Sequence, residues 1–268
     1  MAQGSTRTAV RDHVLTGGAA CQDVAMIETS GARTGRLLRY GVDAPYVPLT
    51  LGILGVVGVV VGLVVSSLGW AIVVGAIFLI QAAIYLHATL RGKHRAWAKL
   101  LDDLQLGGDE QILDVGCGRG AVLLAAARRL PRGRAHGVDL WRSVDQSGNS
   151  REVTASNAAA EGVAERVELH TGDMTDLPFP DGRFDVVASS LAIHNLPTLA
   201  ARFRAIDEAM RVLRPGGHLV VADIRTVGKY AEHLRAVNAA DVKSRNLGPT
   251  FWFSGPWQAT SVVTATKP

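Results

Sequence analysis

Cysteine is nearly absent from this 268-residue chain, which has only Cys21 and Cys117. Two thiols so far apart in sequence make neither a disulfide framework nor a paired-cysteine metal motif, and they suit a reducing, cytosolic setting. Aromatic residues are scarce at 6%, and none is interleaved with basic residues as in a nucleic-acid recognition motif. The net charge of +4 and pI near 9.3 therefore point to an anionic membrane surface, and no nucleic-acid partner is expected. Acids and histidines form no cluster at ligand spacing along the chain, so no metal is expected. The largest absence is of charge: Asp, Glu, Lys and Arg are all missing from Ala44 to Leu90. That stretch lifts the mean hydropathy to +0.18, high for a water-soluble protein.

Leucine, isoleucine, valine and glycine fill the uncharged stretch from Leu49 to Leu68. Trp70 to Leu86 repeats the character, with Gln81 as its main polar interruption. One membrane-spanning helix needs about 20 apolar residues, so residues 44–90 predict two, turning at Ser66-Ser67-Leu68-Gly69-Trp70. Arg33, Arg36 and Arg39 precede the stretch, and Arg91, Lys93, Arg95 and Lys99 follow it. Basic flanks mark the cytoplasmic side, so a hairpin with both ends in the cytoplasm is expected in the cytoplasmic membrane. A buried core pair would show a polar face that this run lacks; a single tilted or re-entrant span is the competing geometry. Gly52, Gly55, Gly58 and Gly62 offer a close-packing face, between the two helices or toward a second copy in a homodimer. Residues 1–43 read as a poorly ordered tail without a secretory signal. Gly92 to Leu106 reads as an amphipathic lead-in helix with Trp97, Leu100, Leu101 and Leu104 on one stripe, and His94 and Trp97 as interfacial anchors.

Beyond the lead-in, an apolar run from Ile112 to Val115 predicts a short buried strand. Gly116, Gly118 and Gly120 follow at alternate positions, and Ala121 to Leu130 then predicts a helix. Glycines let the backbone take positive φ and approach a ligand without a Cβ in the way. A helix start also offers unpaired N–H groups. The segment is thus a cradle, with Cys117 inside it. Gly116-x-Gly118-x-x-Ala121 also fits a dinucleotide fingerprint, with Asp139 as the acid about 20 residues on. Asp114, in the strand itself, argues otherwise: its carboxylate repels a pyrophosphate and suits an ammonium group.

Asp114-x-Gly116-x-Gly118-x-Gly120 resembles the first motif of the class I S-adenosylmethionine-dependent methyltransferases. Further matches follow in order: Asp139, Gly172-Asp173-Met174, Phe184 to Ser190, and Leu213-Arg214-Pro215-Gly216-Gly217 leading into Val221. The resemblance runs from about Trp97 to the C-terminus and is nearest to small-molecule enzymes such as the quinone-biosynthesis C-methyltransferases. It implies an α/β, Rossmann-like fold: a doubly wound, seven-stranded, mostly parallel sheet with an antiparallel C-terminal strand, over residues 91–268. It implies S-adenosyl-L-methionine as cofactor. Asp114 and the glycines would hold the methionine end, and Asp139 the ribose, with Leu140 and Trp141 beside it. Asp173 and Met174 would meet the adenine, while Ser189, followed by Ser190, would lie beside the methyl group.

Other segments are read from the residues alone. Trp141 to Ser150 is longer than a usual loop. Trp141 could stack on the adenine, and Asp145, Gln146 and Asn149 could line the acceptor pocket or be solvated tips. His194, in the loop after Ser190, is the candidate general base or acceptor-positioning group; the plain alternative is a structural histidine. Phe251, Trp252, Phe253 and Trp257 could pack the closing strands, line an apolar pocket or sit at a bilayer interface. Together these features predict a membrane-anchored methyltransferase acting on a small lipophilic acceptor. The rivals are a non-enzymatic membrane scaffold that binds the same cofactor and a nicotinamide-dependent oxidoreductase.

Overall fold

A computed structural model describes residues 39–142, 146–253 and 255–268. The expected tail (all but residues 39–43), with Cys21, Arg33 and Arg36, lies outside the described residues, as does Asp145.

The apolar stretch forms two helices, α1 (Tyr46–Val64) and α2 (Trp70–His87), joined by a tight 3-10 turn at Ser66–Leu68. Gly55, Gly58 and Gly62 face α2 so closely that a Cβ at Gly58 would stand 3.0 Å from the Gly75 Cα, and one at Gly75 would stand 2.6 Å from the Gly55 carbonyl. Gly52, by contrast, has open space. The glycine face is thus used within the hairpin. Leu63, Val64, Trp70 and Val73 point outward and are exposed.

No break separates α2 from the lead-in. A π-helical turn, Ala88–Gly92, carries the axis directly into α3 (Lys93–Asp103). Trp97 is not an interfacial anchor. It is 1% exposed, packed with Leu100 and Leu101 in the core, and its Nε1–H donates to Ser190 Oγ at 2.8 Å. The stripe of which it is part begins one turn earlier, at Lys93, and so buries a lysine.

The α/β domain follows: β1 (Gln111–Val115), α4 (Ala121–Ala127), β2 (Arg134–Asp139), α5 (Arg151–Ala160) and β3 (Val167–Thr171). Then come β4 (Phe184–Ser190), α6 (Leu199–Val212), β5 (Leu213–Ile224), α7 (Val227–Ala236), β6 (Ala240–Asn246) and β7 (Thr260–Thr266). The strands order as β3-β2-β1-β4-β5-β7-β6, with β7 antiparallel to both neighbours. Alternation along β1 divides the core: Ile112 packs with α3 and α4, whereas Leu113 and Val115 pack with α6 and α7. Chain order reverses between β1 and β4, which opens a crevice at their C-terminal ends. Of the aromatic segment, Phe251 and Phe253 are buried, with the Phe253 ring 4.9 Å from that of Tyr85 on α2, while Trp257 is 68% exposed. Packing is therefore the use of the two phenylalanines.

One buried ion pair fastens the hairpin base to this domain. Lys93 Nζ lies 2.7 Å from Asp43 Oδ2, with side-chain exposures of 5% and 18%. The hydroxyl of Thr89 and the amide of Gln146 donate to the same carboxylate at 2.7 and 3.0 Å, and Tyr85 donates to the Asp43 carbonyl at 2.9 Å. Removing one partner from such a pair strands the other. Lys93→Met is therefore expected to cost about 3–5 kcal/mol. Asp43→Asn combined with Lys93→Met should recover much of that, as read from thermal unfolding of the detergent-solubilised chain.

Candidate functional site

The crevice holds a cavity of about 400 Å³, within the ~300–1,000 Å³ range of small-molecule sites. Asp114, Gly116, Cys117 and Gly118 line it from the β1 turn, Asp139, Leu140 and Arg142 from the end of β2, and Asp173 and Met174 from the end of β3. Ser190 to Ala192 and Asn195 to Pro197 close the side beyond β4.

The turn needs its glycines: Gly116, Gly118 and Gly120 have φ of +72°, +49° and +87°, a region side chains disfavour. A Cβ at Gly116 would strike Ala192, and one at Gly118 would stand 2.5 Å from Gln146 Oε1. Gly120 itself is not among the lining residues; it starts α4. Asp139 holds the turn in place. Its Oδ2 accepts from the Gly118 N–H at 2.8 Å, and its Oδ1 from the Trp141 N–H at 2.6 Å and from Asn149 Nδ2 at 3.3 Å.

Asp114 is 2% exposed. Its Oδ2 accepts from the Leu123 N–H at 2.8 Å, while Oδ1 has no hydrogen-bond partner among the described residues. Burial pushes its pKa up to about 7; nearby Asp139 adds to the rise, and the Leu123 N–H and Lys93 oppose it. Burial likewise raises the Cys117 thiol, with Asp114 and Asp139 adding, so that Cys117 is a small apolar wall and not a nucleophile. A buried, half-satisfied carboxylate beside a glycine turn is an arrangement that a cationic ammonium completes. The residues present thus fit the methionine end of S-adenosylmethionine.

Other expected residues are placed differently. Ser189 is buried and donates to the Val115 carbonyl at 2.9 Å, so it braces β1 against β4. Trp141 lies outside the cavity lining, its Nε1–H donating to Thr171 Oγ1 at 2.9 Å. His194 also lies outside the lining: Nδ1 sits 2.5 Å from Asp223 Oδ1, and its backbone N–H donates to Asp223 Oδ2 at 2.9 Å. Asp223 is fully buried in β5, so the pair anchors the loop from which Asn195, Leu196 and Pro197 reach the cavity. Gln146 and Asn149 line it, as one of the two readings of that loop has it.

Asp43 and Lys93 line the cavity too, and the sequence did not point to them as site residues. Two signals were present: Asp43 is the last charge before the uncharged stretch, and Lys93 stands four residues before Trp97 on the buried stripe.

Residues 113–221 match the family described as Methyltransferase domain. Over 133 residues the chain is 35% identical to the ubiquinone/menaquinone biosynthesis C-methyltransferase UbiE of Roseobacter denitrificans, covering 49% of this chain and 50% of that one. Over 125 residues it is 38% identical to the nocamycin O-methyltransferase of Saccharothrix syringae, covering 45% and 40%. The chain thus spans about half the length, or less, of these curated relatives. Among solved structures, the [4+2]-cyclase SpnF superposes with a TM-score of 0.55 at 22% identity, over 68% of this chain and 84% of that one. That likeness concerns the fold. With the glycine turn, its two acids and the strand order in register, residues 113–221 carry a methyltransferase domain similar to those of the class I S-adenosylmethionine-dependent enzymes.

Proposed function

We propose that this chain is a membrane-anchored methyltransferase that methylates a small lipophilic acceptor. The observation that carries the reading is the position of the cavity: residues of the apolar hairpin's own base, Asp43 and Lys93, line the same space as Asp114 and Asp139. α1 has 19 residues, about 28 Å of helix at 1.5 Å per residue, close to the ~30 Å apolar core of a bilayer. The outward faces of α1 and α2 carry Leu, Val and Ile side chains that the protein leaves uncovered. A hairpin lying in a bilayer with its turn outermost puts the Lys93 end, and so the cavity, at the inner surface. An acceptor dissolved in lipid then has a short path to the site. The quinone-biosynthesis methyltransferase named above offers a chemical precedent.

S-adenosylmethionine supplies, when bound, a methyl group made electrophilic by a sulfonium. The chain's own part is placement and exclusion of water. Asp114 would hold the ammonium, Asp139 the sugar hydroxyls, and Asp173 with Met174 the adenine edge. Leu191, Ala192, Leu196 and Pro197 form an apolar wall toward the acceptor, where loss of positive charge is favoured by a dry surface. His194, tied to Asp223, is assigned as a positioning residue that sets this wall.

Three outcomes are expected. Vesicles holding the full chain, given methyl-labelled donor and a bacterial lipid extract, should yield label in an organic-soluble small molecule by mass spectrometry; label confined to water-soluble products would overturn the lipophilic acceptor. Asp139→Asn should weaken S-adenosylhomocysteine binding at least about tenfold by calorimetry, through loss of a charge-assisted contact. For Asp114, the ammonium binds the ionised carboxylate. Below a pKa of about 7, affinity for S-adenosylhomocysteine should fall about tenfold per pH unit, level off above it, and lose that slope in Asp114→Asn.

A further inference from the structure

We propose that His136, Glu168 and His170 form a binding site for one divalent transition-metal ion of zinc-like chemistry, on the β2–β3 side of the sheet and apart from the cofactor cavity. His136 pairs in register with Glu168, and Val138 with His170, so period-two alternation sends all three side chains to one face. His136 Nδ1 stands 3.4 Å from His170 Nε2 and 3.4 Å from Glu168 Oε2, and the three ligand atoms lie within 4.8 Å of one another. A direct N–H···N bond prefers about 2.9–3.0 Å, so these atoms are too far apart to satisfy each other well. Ligands of a tetrahedral ion with bonds of about 2.0–2.1 Å stand about 3.3–3.4 Å apart. The spacing therefore suits a shared ion better than a direct contact.

The surroundings set each donor for that task. His136 Nε2 lies 3.0 Å from Gln111 Oε1, an atom that only accepts, so Nε2 carries the proton and Nδ1 presents a lone pair. Arg134 Nη1 takes Glu168 Oε1 at 3.2 Å, leaving Oε2 to face the histidines. His136 is fully buried against Phe179 and Phe184, while Glu168 and His170 are half-buried at the sheet edge, which leaves a solvent path for the ion and for a water as fourth ligand. Arg183, stacked over the same two phenylalanine rings, opposes any cation alike, so selectivity comes from the donors. Two imidazole nitrogens with one carboxylate disfavour hard cations such as Mg²⁺ and Ca²⁺, which want oxygen ligands, and leave nitrogen-seeking ions as the fit. His136 lies three residues before Asp139, and His170 three before Asp173. An ion here would lock together the two strands that carry those acids.

The test uses the tag-free full chain in detergent, stripped with chelator. Calorimetric titration with Zn²⁺ should give one ion per chain and raise the unfolding midpoint, Co²⁺ should give visible tetrahedral absorption, and Mg²⁺ should do neither. His170→Gln and Glu168→Gln, both at the half-exposed edge and checked for folding by circular dichroism, should each weaken Zn²⁺ at least about tenfold. Absence of Zn²⁺ binding to the wild-type chain, undiminished binding in both variants, or equal binding of Mg²⁺ would overturn the proposal.

Discussion

The Lys93–Asp43 pair is the constraint on which the arrangement of the rest depends. Removing two charges from water is costly, and the attraction between them repays it only when other donors and acceptors are satisfied as well. Here Thr89 and Gln146 complete the carboxylate, and Gln146 also gives an amide proton to the Tyr40 carbonyl at 3.0 Å while its Oε1 accepts from the Arg119 N–H at 2.9 Å. The same few atoms therefore fix the hairpin base, the loop after β2 and the outer edge of the glycine turn. Gly92 shows how tight the joint is: a Cβ there would collide with the Thr250 carbonyl, so the helix leaving the hairpin runs directly on the backbone of the closing segment.

From this joint the electrostatics of the cavity follow. Asp114 is buried, and Asp139 lies near enough to disfavour its charge further. Asp139 answers with three donors around its carboxylate; Asp114 has one, and a free oxygen. The unequal satisfaction gives the two acids different tasks. Asp139 is already part of the scaffold before any ligand arrives, whereas Asp114 keeps one oxygen facing no donor among the described residues.

Local pattern made much of this legible. Ile112 to Val115 followed by alternating glycines reports a strand and a turn because those residues answer to short-range sterics, and the uncharged run reports its helices for the same reason. What sequence could not give is any contact made between distant segments. Trp97 looks like an interfacial residue until β4 supplies Ser190 as its partner. His194 sits in the right loop for a base, and its Nδ1 partner Asp223, nearly thirty residues on, comes from a different strand. His136 and His170, 34 residues apart, likewise become neighbours only through strand pairing. Lys93 follows the uncharged run like any flanking charge, but its helical phase places it on the buried face of α3.

The two ends of the cavity are therefore constrained unequally. The donor end rests on the β1 turn and β2, whose geometry comes from glycine φ values and strand pairing that tolerate little change. The acceptor end is made by the short turn after β4 and by hairpin residues, where side chains can vary without disturbing the sheet. Relatives named for carbon and oxygen methylation, and a cyclase with the same fold, fit that division: the fold does not fix the reaction. In this chain, the distinguishing parts at the acceptor end are the apolar wall from Leu191 to Pro197 and the base of a hairpin suited to lipid. On the proposed reading, the choice of acceptor is tied to what a membrane dissolves, since a water-soluble acceptor would gain nothing from a cavity placed at the hairpin's base.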